Sequence, residues 1–305
     1  MNYQSYELAR AAVAPLRWGA HGLKMQLESP LNPFRTLLLP RMIAAGCEVF
    51  ENVTRRYGKP EFGIKETKIF GMPTPVNEEI VYRKPFCNLV HFDRDEKVAG
   101  RRYDPKVLIV APLSGHYATL LRGTVEAMIR EHNTYITDWT DARNVPASHG
   151  PFDLDDFIDY VVEFIGFLGP NTHVIAVCQP AVPVMAATAL MASRNDPLQP
   201  ASLTLMGGPI DTRRNETVVN KLAKTRPLAW FKSNVISRVP IAYPGFMRNV
   251  YPGFIQLTGF MQMNLERHVT AHSKLYENLV KGDCDSVHRA VLAAVAARLG
   301  IALQR

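Results

Sequence analysis

The 305-residue chain has little of what marks the more specialised protein classes. Cysteine is scarce: Cys47, Cys87, Cys178 and Cys284 stand far apart and without metal-ligand spacing. Neither a disulfide framework nor a metal site is therefore expected. No uninterrupted run of about eighteen apolar residues occurs, so no membrane span is expected. The opening MNYQSYELARAAVAPLRWG has no basic segment ahead of an apolar core and does not read as a signal peptide. Lysine and arginine exceed aspartate and glutamate, 35 to 28, and the formal charge is +7. That surplus is dispersed, with no long basic run and no zinc-finger or RNP-like pattern. Nucleic acid is not an expected partner, and the charge supports only a mild attraction to an anionic surface. The expectation is a soluble cytoplasmic protein with reduced thiols and no cofactor.

What is present is enough for a large core: 47% of residues are hydrophobic and 21% charged, which also argues against wholesale disorder. Residues 1–65 read as a helical segment, with a break at ESPLNP and apolar residues Leu38, Leu39, Met42, Ile43, Val49 and Phe50 at helical spacing. Trp18, Met25 and Leu27 add apolar surface that could pack on a body domain or touch an apolar partner, packing being the expected use. From Glu66 short β-rich pieces follow: KIFGM, EIVYRK and CNLVHF. After Gly100, strands alternate with helices. KVLIVAP, NTYITDW, THVIAV and PASLTLMGGPID are the strands, and near-continuous apolar strands of this kind predict a parallel sheet covered on both faces. Between them FDLDDFIDYVVEFIGFLG is a strong helix, with Asp153 suited to cap it. The chain is thus α/β, with a core over 66–211. Residues 212–288 form an aromatic-rich helical insertion suited to a cap or lid. The Ala-rich tail at 289–305 matches neither texture.

The chemistry-bearing feature is the corner VIAVCQPAVP. A nucleophile placed on a sharp turn between strand and helix is projected above the sheet, and the helix aims its free N–H groups at it. Such turns need small residues two positions to either side. Here these positions hold Ala176 and Pro180, and proline suits a first helical turn. A helix N-terminus favours the thiolate form of a cysteine, the nucleophilic form. On spacing alone, a buried small apolar cysteine is the better reading of Cys178, because the usual glycines are missing. The context shifts that balance. The Gln179 N–H would supply one oxyanion donor, and the loop Ser114-Gly115-His116 after the strand VLIVA stands where the second is expected.

Longer stretches carry a family likeness. VLIVAPLSGHYATLLRGTVEAM, YITDWTDARNVP, VCQPAVPVMAATALMA, LTLMGGPIDTR and NETVVNKLA resemble the intracellular polyhydroxybutyrate depolymerases, and the resemblance extends to about His288. It implies an α/β-hydrolase fold with Cys178 as the nucleophile attacking a 3-hydroxybutyrate ester. The implied partners are polyhydroxybutyrate polymer or oligomers at the surface of a cytoplasmic storage granule. A polyester synthase-like acyltransferase is the enzymatic alternative, although it would want glycines where Gln179-Pro180-Ala181 stands. A non-catalytic granule-associated remnant is the other.

The hydrolase order of nucleophile, acid and histidine places the last two beyond the insertion. The run AVLAAVAARLGIALQR contains no His, Asp or Glu, so the chain is expected to be truncated and its activity severely impaired. The substitutes in order are Asp211, followed by His268, His272 and His288. Each has a plainer use: Asp211 as a helix cap, His268 and His272 as one face of a helix without a third metal ligand. His116 reads as a donor or loop former. The strand ASLTLMG is expected to be an uncovered apolar edge, prone to association or aggregation unless the tail or another chain covers it.

Overall fold

A computed structural model of the chain describes residues 3–56, 58–95, 100, 102–113, 117–214, 216–262 and 265–282. It divides into two compact units, each taken by itself. Unit 1 draws on Met1–Lys59, Lys232–Ser237 and Tyr251–Arg305, and unit 2 on Pro60–Phe231 and Arg238–Val250.

Unit 2 is built on a seven-stranded mixed sheet. Strands β1 (Glu66–Ile69), β2 (Met72–Arg83) and β3 (Cys87–Arg94) form an antiparallel meander. Phe70 and Gly71, both with positive φ, make the two-residue turn between β1 and β2, the backbone hand that matches strand twist. Strand β3 then pairs antiparallel with β5 (Asn133–Trp139). From there β5, β4 (Lys106–Val110), β6 (Thr172–Val177) and β7 (Ser202–Met206) run parallel. The full order is β1-β2-β3-β5-β4-β6-β7.

Central position decides burial. Val107 to Val110 of β4 are at most 2% exposed, so this strand carries side chains into apolar layers on both faces. Helix α3 (Arg122–Met128) precedes β5 and buries Val125. Helix α4 (Leu154–Leu168) precedes β6 and buries Phe157, Tyr160, Val161, Phe164, Ile165 and Leu168, a stripe at helical spacing. Each fully buried side chain of this size stabilises by about 1.5–3 kcal/mol. The start of α4 is a capping box: Asp153 accepts from the N–H groups of Asp155 and Asp156, and Asp156 accepts from the Asp153 N–H. Among the described residues, strand β7 meets the expectation of an uncovered sheet edge. Ser202, Thr204 and Met206 are exposed, and among the described residues β7 has a neighbour only in β6. An apolar sequence does not cover itself at the edge of a sheet.

Helix α5 (Ala181–Ser193) buries Ala181, Pro183, Val184, Ala187 and Met191 and leaves Val182 and Met185 exposed. Helices α6 (Val218–Thr225) and α7 (Leu228–Asn234) follow β7, and the two-residue strands β8 (Ser237–Arg238) and β9 (Asn249–Val250) pair with each other. Residues 238–250 are pinned to the body of unit 2 by Arg248. Its guanidinium donates to the carbonyls of Val145, Pro146 and Gly150 and lies 4.9 Å over the Phe86 ring. Gly245 passes so close to the carbonyls of Ala142, Arg143 and Val145 that a Cβ would meet them at 2.7–2.9 Å.

In unit 1, α1 (Tyr3–Glu28) and α2 (Leu38–Thr54) pack together, and α2 also packs on α9 (Leu265–Lys281); α8 (Gly253–Gln262) precedes α9. Polar bonds join α1 to α2. Lys24 pairs with Glu48, His21 with Glu51 at 3.1 Å, and Arg17 donates to the Thr54 carbonyl at 2.9 Å. Tyr3 and Tyr6 of α1 pack on Phe254, while other apolar side chains of α1 are exposed. Trp18 is 71% exposed and Met25 59%, with Leu8 and Leu16 beside them in exposure. This corrects the expectation that Trp18 and Met25 serve packing: both side chains stay exposed while Lys24 and His21 pair with α2.

Candidate functional site

The site is the turn from β6 into α5. Parallel strands β4 and β6 end side by side, with Val110 opposite Ala176, so the loops that leave them meet at the C-terminal edge of the sheet. In open α/β sheets this edge is where ligands bind. At the end of β6 the chain reverses within Cys178, whose φ is +67°. A non-glycine residue in this region costs on the order of 1–3 kcal/mol, and it persists only where neighbours fix it.

Three neighbours do so. The Cys178 N–H donates to the Met206 carbonyl of β7 at 2.7 Å, and the Cys178 carbonyl accepts from the Ala181 N–H at 3.1 Å. The third is Gly208: a Cβ there would lie 2.0 Å from the Ala181 Cβ and 2.8 Å from the Cys178 carbonyl oxygen. The glycine that the corner was expected to need is therefore supplied from across the turn by the end of β7. Its signal was the Gly-Gly pair in LMGGPID, which a search confined to the residues around Cys178 passes over. On the other side, the Gln179 side-chain carbonyl accepts the Leu113 N–H at 3.0 Å, another contact that spacing along the chain does not reveal.

Cys178 is a free, exposed cysteine, which removes the reading of a buried small apolar residue. Of the free cysteines, Cys87 is buried and Cys47 half-buried, and burial pushes the Cys47 thiol up, with the Glu51 charge adding to it. Pro180 has helical dihedrals and precedes the first residue of α5, so the expected role of proline at the helix start is met. Among the described residues, no backbone carbonyl accepts from the Gln179 N–H, which leaves that donor beside the thiol.

Not all of the remaining candidates lie among the described residues. Ser114, Gly115, His116 and His288 lie outside the described residues. Asp211 stands after β7 in unit 2, and its carboxylate is taken by Arg213: the guanidinium donates at 2.8 and 3.1 Å and the backbone N–H at 3.0 Å. The side-chain bond first, then the backbone bond, holds the Asp211 carboxyl below the ordinary carboxylate value. It does not cap the next helix, since Thr217 does so for α6, accepting from the Asn220 N–H. His268 and His272 lie on α9 in unit 1, and the side chain of His268 is outside the described set. Among the described residues, no three His, Cys, Asp or Glu side chains cluster as metal ligands, and no helix is long and apolar enough to cross a membrane.

Fold and site together define a mixed α/β protein with an exposed thiol at a strand-to-helix turn on the strand-end edge of its sheet. Residues 207–292 match the family model described as PHB de-polymerase C-terminus, and this match supports assignment to the PHB depolymerase family. The matched segment begins at Gly207, includes Gly208 and Asp211, and does not include Cys178. No curated protein matches the chain.

Proposed function

We propose that the chain is an α/β-hydrolase that cleaves polyhydroxybutyrate esters with Cys178 as its nucleophile. The observation that carries this reading is the left-handed backbone of an exposed Cys178 between β6 and α5, the geometry of a nucleophile elbow. The antiparallel-to-parallel strand order and the depolymerase family match lend support. The chemistry is acyl transfer. Sulfur bonds to the ester carbonyl carbon, the C–O bond to the leaving alcohol breaks, and the thiol proton leaves with that alcohol. Water then cleaves the thioester, giving the free acid and restoring the thiol. The Gln179 N–H, at the start of α5, is the donor for the oxyanion. Residues 66–211 carry this chemistry, and 212–288 act as the cap.

Turnover is slow in this reading, because Asp211, the first acid in order after the nucleophile, is already bound by Arg213. Thiolate chemistry is the least dependent on a partner base. The exposed apolar face of α1 supports docking on an insoluble polyester, and hence a cytoplasmic, granule-associated location. The test is release of 3-hydroxybutyrate from amorphous polymer by the purified chain and by Cys178→Ala. Release lost in the variant supports the hydrolase. Equal release from both, or none from either, rejects it, and polymer binding without release favours the non-catalytic granule protein.

A further inference from the structure

The end of β4 is fixed from two directions. The Ala111 N–H donates to Thr137 Oγ1 at 2.9 Å, and the Ala111 carbonyl accepts from Trp139 Nε1 at 2.8 Å, so β5 anchors the last apolar residue of the strand. Two residues further on, the Leu113 N–H is held by the Gln179 side chain from the turn after β6. Gln179 is exposed and Leu113 half-buried, so this contact is not a consequence of dense packing. It joins the residue that follows the thiol to the point where the chain leaves β4, across 66 positions of sequence.

We propose that Gln179 is a positioning residue, whose side-chain carbonyl couples the end of β4 to the Cys178 turn and sets their separation. The proposal rests on the hydrolase reading for its catalytic consequence, though the coupling itself does not. The chemistry required at position 179 is narrow. The side chain must present an acceptor at glutamine length, while its own backbone N–H stays free for the developing oxyanion. Glutamate meets that requirement; methionine, of similar size, does not. With the acceptor gone, Leu113 loses its partner and the β4 end is no longer referenced to the thiol. Reaction steps that need both sides of the site then suffer, whereas those that need only the thiol do not.

The experiment uses the full chain with Gln179→Met and Gln179→Glu. Acylation of Cys178 by p-nitrophenyl 3-hydroxybutyrate is followed as nitrophenol release, and alkylation by iodoacetamide, which forms no oxyanion, is the control. We expect Gln179→Met to slow acylation by about 10- to 100-fold, the scale of a misplaced catalytic geometry. Its alkylation should match the wild type, and Gln179→Glu should restore acylation. Equal acylation in Gln179→Met and wild type, or failure of Gln179→Glu to restore it, overturns the proposal. Hydrogen exchange at Leu113 separates the coupling from the chemistry. If wild type itself is not acylated, the hydrolase reading fails. The coupling is then judged on Leu113, whose amide should exchange roughly fivefold faster in Gln179→Met and as wild type in Gln179→Glu. Unchanged exchange in Gln179→Met removes the coupling as well.

Discussion

Gly208 lies against Ala181 so closely that any side chain at 208 would occupy the position of the Ala181 Cβ. The end of β7 and the start of α5 thereby share one space, and the carbonyl of Cys178 closes the third side at 2.8 Å from the added atom. Backbone cannot yield as a flexible side chain does. Gly208→Ala should therefore destabilise by about 1–3 kcal/mol, the range for overpacking, with the turn displaced. Urea unfolding measures the stability, and the iodoacetamide rate at Cys178 reports the displacement. A variant as stable as wild type with unchanged thiol reactivity would show that the contact relaxes freely.

The left-handed backbone at Cys178 makes a separable prediction about stability and function. Glycine adopts φ near +67° without the penalty that a side chain incurs. Cys178→Gly should be more stable than Cys178→Ala by about 1 kcal/mol, while both lack the thiol. Equal unfolding midpoints for the two variants would mean that the turn stores no strain.

The outward face of α1 predicts polymer binding independent of catalysis. Replacing Trp18, Leu16 and Leu8 with serine removes exposed apolar surface and touches none of the ion pairs to α2. Sedimentation with amorphous polyhydroxybutyrate should fall several-fold, with hydrolysis of a soluble ester unchanged. Undiminished sedimentation would assign the docking surface elsewhere.

His91 gives the pH dependence. Burial first of all, with Arg94 adding, pushes its imidazole below 6.5; the Asn133 bond and the Asp93 and Glu79 charges oppose this without cancelling it. The folded state therefore holds neutral His91 with Nε2 2.6 Å from Asn133 Oδ1 and the ring stacked on Tyr135. With the folded value below the unfolded one, the unfolded chain binds the proton first. The contribution is full above pH 6.5 and is lost as pH falls from there toward the depressed value. The urea midpoint of wild type should drop through that window, and that of His91→Gln should drop less. Parallel profiles would exclude His91 as the cause.

Much of this architecture is legible along the chain, because it is local. Strand β4 shows itself as an apolar run and α4 as a stripe opened by Asp153, since period and capping act within a few residues. The sharp turn at Cys178 is legible for the same reason. What sequence alone withholds is contact across distance. Gly208 against Ala181, Gln179 on Leu113 and the Lys24–Glu48 pair between α1 and α2 each join residues 24 to 66 positions apart. No periodicity encodes them. Asp211 shows the limit even at short range: its place suggested a helix cap, but Thr217 caps the helix and Arg213, two residues from Asp211, binds the carboxylate.

The central claim is that Cys178 attacks the ester carbonyl. The most direct measurement is peptide mass analysis after rapid acid quench of the chain with p-nitrophenyl 3-hydroxybutyrate. A hydroxybutyryl thioester on the peptide containing Cys178, formed at the rate of nitrophenol release and absent in Cys178→Ala, is the predicted result. Nitrophenol release that proceeds with Cys178 unmodified, or that survives in Cys178→Ala, would contradict it.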